Sequence, residues 1–153
     1  MEESLEETNL EGGLDECVRA LFGVEEKDWD QFSPLPLAFL GDSVYDLVIR
    51  TVLVARGSRQ TAGLHGDKSR LVRAGAQAAM LAALQDHLTE AEKAVCRRGR
   101  NAHPANTAKN ASRREYLDAT GFEALLGWLY LRKEYDRIAE LIRTGLEETG
   151  SEI

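Results

Sequence analysis

Apolar residues recur at intervals of three and four along most of the chain, the spacing of helices that bury one face. Leu14, Val18, Leu21 and Phe22 predict a short first helix that stops at Gly23. Ser33-Pro34 places a capping residue before a helix-compatible proline. From there to about Ala55 run Leu37, Phe39, Leu40, Val44, Leu47, Val48, Val52 and Leu53. They cover so much of the circumference that this helix is expected at the centre of the fold. A second long helix is predicted over 61–86, with Leu64, Leu71, Val72, Ala76, Met80 and Leu84 along one face. Thr89-Glu90-Ala91-Glu92 reads as a capping box that opens a helix reaching about Arg98. Residues 99–112, rich in Gly, Asn, Pro and Ser, read as a loop, and two further helices are expected from about Arg113 to Arg132 and from about Glu134 to Glu148. With neither strand alternation nor an internal repeat, the expected class is all-α: an acidic tail over 1–13, then one helical domain over 14–150.

Composition changes this picture little. Of 153 residues, 43% are apolar and 29% charged, which suits a folded soluble domain and excludes a disordered chain. The longest apolar stretch, Val44 to Ala55, is broken by Asp46 and Arg50 and is too short to span a bilayer, so no membrane partner is expected. Met1-Glu2-Glu3 offers no cationic start or apolar signal core. Cys17 and Cys96 stand far apart with no CxxC or Cys/His cluster, as reduced thiols of a cytoplasmic protein would.

Charge is more informative when divided. The net charge is −7, yet residues 1–31 hold eleven acids against Arg19 and Lys27, while residues 32–153 hold fifteen acids against seventeen bases. Acidity belongs to the N-terminus and the body is mildly basic, so a polyanionic partner is compatible with the low overall pI.

Two carboxylates stand out. Leu40-Gly41-Asp42-Ser43 and Phe122-Glu123-Ala124-Leu125-Leu126-Gly127 each set one acid near a glycine inside an apolar helical run. Burial of such a group is costly without a cation or a hydrogen-bond partner. Asp46 has Arg50 four residues on, the spacing of an ion pair. Asp42 has Asp46 at that spacing and Ala38 one turn earlier, so its partner is either neighbouring backbone and Ser43 or a metal. Glu123 has Gly127, Thr120 and Ala119 around it, small residues that leave room for a hydrated cation. All-oxygen ligation with few carboxylates suits Mg²⁺, with Mn²⁺ as a substitute, and such a site can promote phosphodiester cleavage.

Between these acids, residues 96–114 hold Arg97, Arg98, Arg100, Lys109, Arg113 and Arg114 and no acid. Asn101 and Asn110 add hydrogen-bonding groups, and Gly99 allows close backbone approach. The segment suits contacts to phosphate and ribose along a duplex, whereas the scarcity of aromatics gives no platform for stacked single-stranded bases. His103 lacks a second His or Cys at ligand spacing and reads as a surface or RNA-contact residue.

At these residues the chain resembles the ribonuclease III catalytic domain, and within it the short bacterial branch of Mini-III ribonucleases. Leu37-Ala38-Phe39-Leu40-Gly41-Asp42-Ser43-Val44-Tyr45-Asp46 is similar to the family's signature helix. Arg98-Gly99-Arg100-Asn101-Ala102, Lys109-Asn110 and the run from Tyr116 to Leu131 resemble the branch's basic loop and closing helix, and Leu64-His65 and Ala76-Gln77-Ala78 its second helix. The likeness spans about 33–148.

The resemblance implies a homodimer that cuts both strands of double-stranded RNA with Mg²⁺ and leaves 5′-phosphate and 3′-hydroxyl ends. It implies a catalytic, metal-binding role for Asp42 and Glu123, and an RNA-binding role for Arg97, Arg98, Arg100, Asn101, Lys109 and Asn110, with Arg113 and Arg114 as weaker candidates. Phe39 falls where the family places an aromatic that plugs into the partner subunit. The branch's typical substrate is precursor large-subunit (23S) ribosomal RNA, with a ribosomal protein as a candidate assisting partner. The chain departs from longer relatives at Ala38 and Thr120, which stand where those carry two further carboxylates. A helical dimer that binds ribosomal RNA without cutting it is the alternative reading.

Overall fold

The computed structural model describes residues 12–57, 74–102 and 112–151, all in helices, turns and short connections. Gly13 precedes α1 (Leu14–Phe22), which ends at Gly23 in the left-handed region at φ 65. A short 3-10 turn, Trp29–Gln31, leads to α2 (Pro34–Arg56). Ser33 occupies the N-cap with Pro34 at the first helical position, although the serine side chain makes no capping hydrogen bond. Then follow α3 (Ala74–Ala83), α4 (Glu90–Arg100), α5 (Ser112–Leu131) and α6 (Tyr135–Glu148).

The capping box forms as its spacing predicts. Thr89 Oγ1 accepts from the Glu92 amide at 3.1 Å, and Glu92 Oε1 accepts from the Thr89 amide at 2.9 Å. Glu92 is itself buried and is held by the Arg137 guanidinium, which depresses its carboxyl pKa against the upward pull of burial.

Three boundaries differ from the expectation. The helix expected over 61–86 is seen as α3 and stops at Ala83, where a turn lets both Leu84 and Leu88 reach the core. Its earlier part, including Leu64, His65, Leu71 and Val72, lies outside the described residues. The loop expected from residue 99 starts later, because α4 continues through Gly99 and Arg100. Gly99 lies against Gly121, Ala124 and the Thr120 carbonyl, a close packing that seats the last two residues of α4 on α5.

The third difference concerns which helix is central. It is α5, around which α2, α3 and α4 pack, with α6 closing the core against Met80 and Leu84. Every residue of α5 from Ala119 to Leu129 is buried except Glu123. α2, expected at the centre, keeps a solvent side on which Phe39, Leu47 and Val54 are exposed. Its apolar circumference therefore exceeds what the described residues cover. The core is closed by Tyr45, edge-on to Phe122 at 6.0 Å between ring centres, with its hydroxyl donating to Met80 Sδ at 3.4 Å.

Candidate active site

The acidic pair is brought together by a glycine crossing. Where α2 meets α5, a Cβ on Gly41 would strike the Glu123 carbonyl, and a Cβ on Gly127 would strike the Leu37 carbonyl. Backbone lies directly on backbone, closer than any side chain permits. Asp42 follows one of these glycines and Glu123 precedes the other by one turn, so the two carboxyl groups meet at the edge of the crossing. They share a hydrogen bond.

The burial expected of both acids holds only in part. Glu123 is half-buried, whereas Asp42 is exposed, because α2 presents that side to solvent. The Glu123 carboxyl is pushed up from 4.5 to about 8, first by burial and then by the hydrogen bond and negative charge of Asp42. Near neutral pH Glu123 therefore keeps its proton, in the hydrogen bond it shares with Asp42. Among the described residues neither acid forms an ion pair with Lys or Arg.

That arrangement fits a divalent cation. Two carboxylates that repel one another present oxygen donors to a common point, and a cation would take the place of the shared proton. Among the described residues no cluster of three or more His, Cys, Asp or Glu side chains exists, so a metal held by these two acids would complete its shell with water, as Mg²⁺ tolerates. Ala38 is in the core, and Thr120 is buried with its hydroxyl donating to the Tyr116 carbonyl at 2.9 Å. Asp46 pairs with Arg50 at 2.8 Å, the ion pair its spacing predicts. Asp118 faces away and holds Arg100 at 2.6 Å.

The basic residues divide into different environments. Arg97 and Arg114 are exposed. The Arg98 guanidinium donates to the carbonyls of Phe32 at 2.6 Å and Asp30 at 3.2 Å, tying the turn before α2 onto α4. Asn101 caps α4 through its backbone amide. Arg113 is half-buried. Lys109, Asn110 and His103 lie outside the described residues. Lys93, absent from the sequence-based set, lines the same groove as Arg97 and Arg100. Its spacing of four and seven residues from them on α4 is the signal that could have found it.

The ribonuclease III domain family model matches residues 35–134, about two thirds of the chain and the whole α2–α5 crossing. The chain belongs to the ribonuclease III family. It is a ribonuclease III-like endoribonuclease, of a metal-dependent family that acts on double-stranded RNA. Mini-ribonuclease 3 of Thermoanaerobacter sp. (strain X514) is 44% identical over 115 residues, 75% of this chain and 81% of that protein. Mini-ribonuclease 3 of Symbiobacterium thermophilum is 44% identical over 114 residues, 74% of this chain and 88% of that protein. The crystal structure of protein FN1578 from Fusobacterium nucleatum superposes with a TM-score of 0.70 at 28% identity, covering 79% of this chain and 97% of that one. The helical fold and the family thus agree with the expectation drawn from the signature helix. Among the described residues no helix is long and apolar enough to cross a membrane.

Proposed function

We propose that this ribonuclease III-family chain acts as a homodimer that hydrolyses double-stranded RNA with Mg²⁺, the ends of precursor 23S ribosomal RNA being its substrate. Asp42 and Glu123 are the metal-holding, catalytic pair. The observation that carries this reading is their convergence at a crossing made of glycine backbone, where two acids share a hydrogen bond and, among the described residues, have no basic partner. A divalent cation held there supplies charge neutralisation and water activation for phosphodiester cleavage. Asp42 offers its oxygens from the solvent side, where a duplex can approach, and Glu123 offers its own from the protein side. Glu123 must release its proton for both oxygens to serve, so binding of Mg²⁺ displaces a proton and weakens as pH falls below about 8.

The dimer is supported by α2. Phe39 is 84% exposed, and Leu35, Leu47 and Val54 are exposed on the same helix. An outward phenylalanine of that exposure in a helix already packed on its other side calls for a partner surface. Mini-ribonuclease 3 as the name of several relatives supports the short-branch substrate.

The test is cleavage of duplex RNA with Mg²⁺. Asp42→Asn and Glu123→Gln should each lower kcat roughly a hundredfold or more, the equivalent of about 3 kcal/mol. Tight duplex binding by the unsubstituted chain with no cutting would overturn the reading and leave a scaffold.

A further inference from the structure

The first helix packs with its polar side down. Leu14, Val18, Leu21 and Phe22 of α1 all point outward, Leu21 at 76% and Phe22 at 78% exposure, and Val24 follows them, exposed as well. The side turned to the body is polar. Asp15 is buried and accepts from the Tyr135 hydroxyl, Arg19 pairs with Asp15 at 3.1 Å, and Glu16 pairs with Lys133 at 2.9 Å. These contacts fix α1 at the start of α6 by its hydrophilic face. The five outward side chains leave on the order of 500 Å² of apolar surface in one patch, the upper range for a monomer. α1 also lies outside residues 35–134, the part that matches the ribonuclease III domain.

A matching surface lies towards the other end of α6. There α2 and α6 enclose an open groove of about 780 Å³, lined by Val48, Val52, Ile142 and Leu146. Val48 and Val52 stand about 140–180° around α2 from Phe39 at 3.6 residues per turn, so this groove is separate from the face assigned to the proposed dimer. Leu14, Val18 and Leu21 recur at i, i+4 and i+7, the anchor spacing of a helix laid into an apolar groove. Leu14 and Leu21 are seven residues apart, about 10 Å along the axis, and so are Ala139 and Leu146 of the groove wall.

Charge selects the occupant. Residues 1–31 hold eleven acids against Arg19 and Lys27. Two such segments repel, so α1 does not pair with its own equivalent, and an anionic lipid surface repels it too. The groove instead carries Arg56 and Arg143 against Glu147. Among the described residues Arg56 forms no ion pair. Arg143 pairs with Glu147 at 3.0 Å, but both side chains are largely exposed and water screens them. Since α1 turns its apolar face away from its own body, the helix that fills the groove belongs to another molecule.

We propose that α1 of one chain seats Leu14, Val18 and Leu21 in the α2–α6 groove of a second copy. α1 and the groove lie towards opposite ends of α6, so a two-fold axis across α6 lets both contacts form at once. Each contact buries on the order of 1,000 Å² counting both sides, the low end for specific interfaces, so association sets in at ~10–100 µM. The contact involves neither Asp42 nor Glu123 and stands apart from the nuclease reading.

The test is light scattering by the full chain over a concentration series. Average mass should roughly double between ~1 and ~200 µM. Leu21→Ser/Phe22→Ser should abolish that rise, and Arg56→Glu/Arg143→Glu should move its midpoint about tenfold higher. An equal mixture of the two variants should associate more tightly than either alone, because one chain keeps an intact groove and the other an intact α1. Phe39→Ala should lower the starting mass and keep the rise. The four side chains replaced in α1 and the groove are exposed, so the fold survives their loss, as melting curves will verify. A mass that stays constant in the unsubstituted chain, a rise that the α1 variant preserves, or a mixture no tighter than its components overturns the proposal.

Discussion

Replacing Glu123 by Gln should stabilise the metal-free protein above pH 8 while abolishing its response to Mg²⁺. The native Glu123 carboxyl titrates at about 8 against an ordinary 4.5, so the folded protein binds a proton that the unfolded chain releases. A group raised in this way favours folding below about pH 4.5, costs stability progressively as pH climbs towards 8, and costs no more beyond. At about 1.4 kcal/mol per pH unit the full displacement corresponds to roughly 5 kcal/mol. Asp42 is solvent-exposed, however, and screening across the pair leaves about 1–3 kcal/mol. Glutamine keeps the shape and the neutral hydrogen-bonding character of the protonated acid, so the variant escapes that decline. Thermal melts in EDTA from pH 5 to 9 should show the wild type falling relative to the variant by roughly 3–10 °C. Adding Mg²⁺ at pH 8 should raise the melting temperature of the wild type alone, because only its site gains a ligand on folding. Parallel pH profiles for the two proteins, or equal stabilisation by Mg²⁺, would refute a coupled acid pair at this crossing.

Three other substitutions probe the scaffold. Gly41→Ala drives a methyl group into the Glu123 carbonyl and should cost about 2–4 kcal/mol in urea unfolding, with loss of Mg²⁺ response in whatever still folds. Phe39→Ala removes an 84% exposed ring and should convert the proposed dimer to monomer by light scattering, while changing the stability of the dilute chain by less than about 0.5 kcal/mol. Arg98→Ala breaks two charge-assisted hydrogen bonds to the Asp30 and Phe32 carbonyls and should lower stability by about 1–2 kcal/mol. It should leave the salt slope of duplex binding unchanged; a flattened slope would show that Arg98 reaches RNA after all.

Much of the helical layout was legible because it depends on neighbours in the chain. The stop at Gly23, the Pro34 start, the Thr89 capping box and the Asp46–Arg50 pair are each settled within one or two turns. The candidate acids were legible too, since an ionisable residue inside an apolar run is conspicuous whatever surrounds it. Less visible was the division of labour among the arginines. Arg97, Arg98 and Arg100 are close neighbours in one charged run, yet one is exposed in a groove, one ties down a loop and one holds Asp118. Helical rotation sends them in different directions, and composition carries no direction.

By itself the chain determined its class, most of its helix starts and stops, and the two acids on which the chemistry is expected to rest, because propensity, capping and periodicity are local. Tertiary structure decided that α5 rather than α2 is the central helix, that Asp42 is exposed beside a half-buried Glu123, and that Lys93, Arg97 and Arg100 of α4 share one groove while Arg98 turns away to the Asp30 and Phe32 carbonyls. Those facts follow from which faces of separate helices meet. Here that is fixed by the backbone-to-backbone seat of Gly41 and Gly127, a contact between residues more than eighty positions apart.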